Sequence, residues 1–212
     1  MEKQLTELVF ILDRSGSMEG IRRATVSNFN ELLDAQKAEV HGDEARISIY
    51  SFNHTIEKLC FRAPLESARH LTTETYLPSG RTALYDAICS ALNEITGAEK
   101  ENLANEWKIV RIVCIITDGL ENASRFYTRT DVRRLIDAKK EDGWNFVFAG
   151  ANFDVDVEGE ELGFDKRERF SFEANDYGVR DLSKRVCCCL SDYREPPRDD
   201  EDLASLRRRA EN

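Results

Sequence analysis

One carboxylate and two hydroxyl groups follow the first apolar run of the chain at alternate positions. The run spans residues 8–12, and Asp13, Ser15 and Ser17 come directly after it, with Gly16 between the two serines. A short continuous apolar run that ends in acidic, hydroxyl and glycine residues predicts a buried strand that enters a loop. Because carboxylate and hydroxyl oxygens are hard ligands, a loop that curls at this point suits a small cation such as Mg²⁺.

The same residues also fit a plainer interpretation. Asp and Ser are common in turns, and either Ser15 or Ser17 is a suitable N-cap for a helix that follows a strand. On this segment alone, a metal site and a solvated connection between a strand and a helix both remain open.

Two further segments favour the metal site. In the first, Thr82 follows Gly80 at the entrance of a predicted helix, and in the second, an apolar run over residues 109–117 ends in Asp118. Ligands in open α/β sheets bind outside the carboxyl ends of the strands, so we expect these loops to meet there. The predicted metal ligands are Asp13, Ser15, Ser17, Thr82 and Asp118.

Three stretches of sequence carry a resemblance to a known family. They are VFILDRSGSM at residues 9–18, GRTALYDA at 80–87 and IITDG at 115–119. Together they resemble the von Willebrand factor type A (vWA) family over about residues 5–192, and TDGLENAS at 117–124 is similar to small stand-alone vWA proteins of bacteria or phage. The resemblance implies a metal-ion-dependent adhesion site on the five residues named above.

The order of elements predicts the α/β fold that this site requires. Apolar and β-branched runs predict strands near residues 6–12, 45–52, 55–62, 109–117, 144–150 and 167–172. Helical periodicity falls near residues 21–39, 82–97, 130–142 and 175–192, with shorter candidates near 65–70 and 156–163. The alternation predicts a doubly wound, mostly parallel sheet of about six strands with helices on both faces. Only Asn53 and His54 separate the second and third strands, which predicts a hairpin and one antiparallel edge strand.

Composition limits the domain count and the classes of partner. At 212 residues the chain suits one vWA domain, residues 1–192, followed by a charged tail, residues 193–212, which fits either a solvated tail or a docking peptide. A net charge of −10 argues against nucleic-acid binding, because an acidic surface repels phosphate. The sequence contains neither an apolar stretch long enough to span a bilayer nor a signal peptide, so we expect a cytoplasmic protein without a membrane partner.

The six cysteines show no spacing typical of a disulfide framework, which fits a reducing compartment. Cys187, Cys188 and Cys189 are consecutive in a predicted helix. Successive helical residues point about 100° apart, so these thiols are expected to pack or to be partly exposed rather than to share one zinc ion.

The predicted site favours binding over catalysis. Two carboxylates and three hydroxyl groups leave a position open on Mg²⁺, or on Mn²⁺ or Ca²⁺ as alternatives, and an Asp or Glu of a protein partner would fill it. Arg14 and Arg81, each beside a predicted ligand, are expected to add positive potential. The alternative is a metal-dependent hydrolase that uses the same site, with Glu121 as its base. Capping of a helix or loop by Glu121 is the favoured interpretation, and no catalytic constellation or phosphate loop is recognisable, so we expect a protein that is not an enzyme.

Overall fold

The sheet of this protein has six strands in the order β3-β2-β1-β4-β5-β6. The computed structural model describes residues 4–39, 44–100 and 108–194. The strands are β1 (Gln4–Asp13), β2 (Glu44–Phe52), β3 (Ile56–Pro64), β4 (Lys108–Thr117), β5 (Trp144–Gly150) and β6 (Arg169–Ser171). All neighbouring strands are parallel except β2 and β3, which pair antiparallel. The predicted topology, including the antiparallel edge strand, is therefore confirmed.

Five α-helices cover the two faces of the sheet. They are α1 (Arg22–Ala38), α2 (Leu84–Lys100), α3 (Arg129–Glu141), α4 (Val155–Glu161) and α5 (Asp176–Arg194). Short 3-10 turns occupy Gly16–Ile21, Leu65–Ser67 and Lys166–Glu168. Of the helices within the described ranges, none has the length and apolar character needed to cross a membrane.

Each face of the sheet has its own apolar core. On one face, α1 and α5 pack on side chains such as Phe10, and the edge of the Phe29 ring meets the Phe10 ring at a centroid distance of 5.2 Å. On the other face, α2, α3 and α4 pack on the alternate side chains of the same strands, including Ile11 and Phe148. Because β1 and β4 are central and covered on both sides, their carboxyl ends are fixed in position, as a binding site at that edge requires.

The last helix extends slightly beyond its predicted end. It continues to Arg194, so Tyr193 and Arg194 belong to a helix rather than to the tail predicted from residue 193. The Tyr193 hydroxyl donates a hydrogen bond to the Phe146 carbonyl at 3.3 Å. The rest of that tail, residues 195–212, lies outside the described residues.

The cysteines lie where helix and strand periodicity place them. All six are free, and Cys89 and Cys114 are buried in the two cores. Cys188 on α5 is exposed, whereas its neighbours Cys187 and Cys189 are partly buried. The expected packing or partial exposure of the three consecutive thiols is therefore confirmed.

The edge strand β3 is joined to the centre of the sheet by a buried ion pair. Arg62, with a positive φ of 44°, lies where the register of β2 and β3 shifts, and its backbone N–H donates to Ser48 Oγ at 2.9 Å. Its side chain reaches Glu7 on β1, with Nε and Nη2 both 3.0 Å from Oε2. Glu7 is fully buried, so Arg62 compensates a charge that would otherwise be very costly inside the sheet.

Candidate metal site

The candidate site lies at the carboxyl edge of the two central strands. Asp13 is the last residue of β1, and Asp118 directly follows β4, its neighbour in the sheet. Both carboxylates are buried, although neither side chain is apolar. The strand ends therefore bring together two acidic groups that are far apart in the sequence.

Ser15 and Ser17 complete a continuous set of oxygen atoms between these carboxylates. Asp13 Oδ1 accepts a hydrogen bond from the Ser15 backbone N–H at 2.6 Å, and the two serine Oγ atoms are 3.1 Å apart. Ser17 Oγ then donates to Asp118 Oδ1 at 2.5 Å. Ser15 occupies the N-cap position of the following 3-10 turn, but its side chain makes no capping hydrogen bond, which argues against the plainer interpretation of this segment.

Thr82 lies beside the same group of oxygens. A Cβ atom placed on Gly119 would be 3.6 Å from Thr82 Oγ1 and 3.7 Å from Ser17 Oγ, so both hydroxyl groups border the Gly119 backbone. The structure thus brings all five predicted residues together: Asp13, Ser15, Ser17, Thr82 and Asp118.

Asn122 fixes the backbone of Thr82 from the loop that follows β4, residues 118–128. Its Oδ1 atom accepts from the Thr82 N–H at 3.0 Å, and its own N–H donates to the Thr82 carbonyl at 2.9 Å. The Ala123 N–H donates to the same carbonyl at 3.1 Å. The position of Thr82 therefore depends on a loop that lies 40 residues later in the chain.

Two carboxylates attach the rest of this loop to α2. Glu121 accepts hydrogen bonds from the backbone N–H groups of Tyr85, Ala123 and Ser124 at 3.0, 2.7 and 2.6 Å. Asp86 accepts from the N–H groups of residues 125, 126 and 127 at 2.8–3.0 Å. The favoured interpretation of Glu121 as a cap is confirmed, because its carboxylate holds the loop against the start of α2.

We expect Asn122→Ala to lower the affinity of the protein for Mg²⁺ about tenfold, the scale on which supporting contacts act. The substitution removes the acceptor that orients the Thr82 backbone but none of the predicted ligands. Calorimetric titration of the metal-stripped protein measures the effect. A matched control is Asn30→Ala, since Asn30 likewise bridges to a loop backbone through two hydrogen bonds, at Leu71. Equal losses of affinity in the two variants would contradict the role given to Asn122.

Other contacts at the site lay outside the sequence prediction. Thr117 Oγ1 donates to Asp13 Oδ2 at 2.7 Å, and the buried Tyr76 hydroxyl donates to the Asp13 carbonyl. Asn152, with a φ of 64°, donates from Nδ2 to the Asp118 carbonyl at 3.2 Å. Thr117 precedes Asp118 within the IITDG motif, and Asn152 is a polar residue just after β5, so the sequence position of each could have indicated a role at the site. The position of Tyr76 gave no such indication.

Burial disfavours ionisation of the two carboxylates, Asp13 and Asp118, in the metal-free protein. It raises the pKa of Asp13 to about 6, against the opposing effect of the hydrogen bonds from Thr117 and Ser15, and the charge of Asp118 raises it further. Burial also raises the pKa of Asp118. Neither carboxylate forms an ion pair with any residue of the described ranges.

The two arginines beside the site differ. Arg14 is turned away from it, with Nη2 3.5 Å from the Glu57 carboxylate and 3.4 Å from Thr55 Oγ1, so its charge is paired across the β2–β3 hairpin. Arg81 is exposed and forms no ion pair with the residues described here. Of the two arginines, Arg81 alone therefore offers an unpaired charge at the site.

This arrangement fits a divalent cation. Two buried carboxylates are linked through serine hydroxyl groups and form no ion pair with the described residues, and hydroxyl oxygens are hard and neutral ligands. Ser17 is exposed, so the group of oxygens is open to solvent on one side. The residues that can hold such an ion are the five predicted ones, with an open side left for an external group.

An α/β sheet with acidic and hydroxyl residues at the carboxyl ends of its central strands defines a class of ligand-binding domain. The family model for the von Willebrand factor type A domain matches residues 7–185, and the chain belongs to this family. No curated protein sequence gives a significant match.

Solved structures of similar fold include proteins from very different organisms. Proximal thread matrix protein 1 (PTMP1) from the mussel byssus superposes with a TM-score of 0.62 at 14% identity, covering 88% of this chain and 46% of PTMP1. Manganese-loaded TRAP protein from Plasmodium vivax gives 0.57 at 16% identity, covering 88% and 75%. BatB from Bacteroides thetaiotaomicron gives 0.56 at 14% identity, covering 90% and 100%. This chain thus spans less than half the length of PTMP1, and at these identities the likeness concerns the fold alone.

Proposed function

We propose that this protein is a binding module that holds an acidic residue of a protein partner through a divalent cation at the candidate metal site. The observation that carries the proposal is the pair of buried carboxylates, Asp13 and Asp118, which share the edge of the sheet open to solvent and form no ion pair with any residue that the structure describes. Membership in the vWA family supports it, since vWA domains are generally interaction modules.

The ligand set determines what the bound ion would offer. Asp13, Ser15, Ser17, Thr82 and Asp118 would hold the cation, and the bound cation supplies a positive centre to which an external carboxylate can bind. Only two of the five residues carry charge, so the neutral hydroxyl groups leave the centre attractive to an acidic group. Arg81, which is exposed and forms no ion pair with the described residues, is adjacent to Thr82 in the chain and favours the same kind of ligand.

Metals in related folds support a divalent ion without fixing which one. One PTMP1 structure is described with a zinc-occupied MIDAS motif, and the TRAP protein is described as manganese-loaded. For this chain we favour Mg²⁺, because its ligands are all oxygen atoms and Mg²⁺ prefers oxygen.

A metal-dependent hydrolase at the same site has less support. Its candidate base, Glu121, accepts hydrogen bonds from three backbone N–H groups and from Ser124 Oγ, so its carboxylate is committed to the loop. A screen of ester and phosphoester substrates with Mg²⁺ or Mn²⁺ distinguishes the two functions directly, because turnover would favour the hydrolase.

We expect affinity capture in Mg²⁺ to retain a partner on the native protein and to lose it on Asp13→Ala. An excess of chelator should release the partner from the native protein to a similar extent, because both treatments remove the positive centre. Circular dichroism checks that the variant is folded, which we expect since the two apolar cores do not depend on the ion. A partner that binds equally well in chelator would show that the interaction surface lies elsewhere.

A further inference from the structure

Two large apolar side chains are exposed on the loop that follows β4 and begins with Asp118, residues 118–128. Of the exposed large apolar residues in the described part of the chain, two lie on the loop that supplies Asp118: Leu120 is 49% exposed and Phe126 is 83% exposed. Leu120 is next to Gly119, which borders the hydroxyl groups of Thr82 and Ser17. We call these two residues the apolar platform.

Hydrogen bonds hold the backbone of the loop that carries the apolar platform. The Phe126 N–H donates to Asp86 Oδ1 at 3.0 Å, and the N–H groups on either side of it, at 125 and 127, donate to the same carboxylate. Between Leu120 and Phe126, the Glu121 carboxylate and the Thr82 carbonyl hold the loop to the start of α2. The loop backbone therefore holds Phe126 in a defined place at the surface, and the backbone loses little further order when the ring is covered.

Two arginines lie close to the platform and to the metal site in the sequence. Arg81 and Arg125 are both exposed, and neither forms an ion pair with a residue of the described ranges. Arg81 is adjacent in the chain to the predicted ligand Thr82, and Arg125 is adjacent to Phe126. They complement a segment that is both acidic and apolar, because a guanidinium pairs with carboxylates and its flat face packs on apolar groups.

We infer that the apolar platform binds a large apolar side chain of the same partner segment whose Asp or Glu reaches the metal site. The inference rests on the proposed function, which supplies the acidic anchor, and it adds a second requirement to the partner. The acidic residue provides attraction to the cation and to Arg81, and the apolar neighbour is buried against Leu120 and Phe126. A partner of this kind is a short exposed protein segment that pairs one acid with a nearby Leu or Phe.

Short synthetic peptides test this requirement without knowledge of the natural partner. Each peptide carries one Asp, with Leu, Phe or Ser at each flanking position, and a parallel set carries Asn in place of Asp. Fluorescence anisotropy in Mg²⁺ measures the Kd of each peptide for the full chain. We expect the best acid–apolar peptide to bind about tenfold more tightly than the acid–serine peptide, the gain expected from burying one large apolar side chain. The Asn peptides should bind weakly.

Variants of the protein locate the effect. Phe126→Ser and Leu120→Ser should remove the preference for apolar flanks while leaving Mg²⁺ uptake unchanged. Val157→Ser is the matched control, because Val157 on α4 is 54% exposed and lies outside the loop, and it should keep the preference.

The outcomes separate this inference from the proposed function. Acidic peptides that bind in Mg²⁺ regardless of their flanks, or a preference that survives in Phe126→Ser and Leu120→Ser, would overturn the platform and leave the proposed function standing. If the Asn peptides bind as well as the Asp peptides, the apolar contact acts without the metal and the coupling is wrong. Absence of binding by every acidic peptide would overturn both.

Discussion

A protein that carries both Asp13→Ala and Asp118→Ala is expected to lose at least about a hundredfold in affinity for Mg²⁺. These two side chains supply all the formal charge of the candidate ligand set, and the three hydroxyl groups that remain are neutral. Calorimetric titration of the metal-stripped native and double-variant proteins measures the difference directly.

The control for this experiment removes the same charge elsewhere. Asp137→Ala with Asp181→Ala deletes two half-exposed carboxylates on α3 and α5, each paired with an arginine four residues away in the sequence. This control should bind Mg²⁺ as the native protein does. Equal uptake by the native protein and the Asp13/Asp118 variant would contradict the site assignment.

The stability of the metal-free protein is expected to fall as the pH rises through about 6. Burial raises the pKa of Asp13 from 3.8 to about 6, so between these values the folded state holds a proton that the unfolded state has released. The favourable contribution is complete below about pH 4, declines between the two pKa values because only the unfolded chain has released its proton, and is fully lost once the pH has passed about 6, which lowers the free energy of unfolding by roughly 3 kcal/mol. Denaturation with urea in chelator, from pH 4 to 8, measures the change.

Metal binding should depend on pH in the opposite direction. A bound cation requires ionised Asp13, so the affinity for Mg²⁺ should fall by about tenfold for each pH unit below about 6. For the stability of the metal-free protein, Asp13→Asn is the test variant, because Asp118, Glu7 and Glu168, whose pKa values burial also raises, still titrate in it. If the stability of Asp13→Asn in chelator follows the same pH curve as the native protein, Asp13 is not the responsible group.

Local sequence was sufficient to predict the topology. The apolar runs at residues 8–12 and 109–117 predicted buried strands, and the two residues between the predicted second and third strands predicted a hairpin, which in the structure spans the three residues between β2 and β3. Because the carboxyl ends of parallel strands share one edge, placing Asp13 and Asp118 together needed no more than their positions after those strands.

The contacts that support the site could not be predicted in this way. Tyr76 reaches Asp13 across 63 residues, and Asn122 reaches Thr82 across 40, and no periodicity connects such positions. The orientation of Arg14 depends on Glu57, whose place follows from the pairing of β3. These contacts arise from the packing of loops against one another, which the residue types of one loop do not determine.

The edges of the sheet bear on how copies of this protein meet one another. An unpaired strand edge is a template for another strand and hence a route to aggregation. Here the β6 edge is only three residues long, and the β3 edge carries the register shift at Arg62, the charged side chain of Lys58 and the terminal Pro64. Such irregular, charged and short edges oppose the pairing of strands between molecules. The chain can therefore expose the apolar platform at the carboxyl end of its sheet while the β3 and β6 edges disfavour strand pairing between copies.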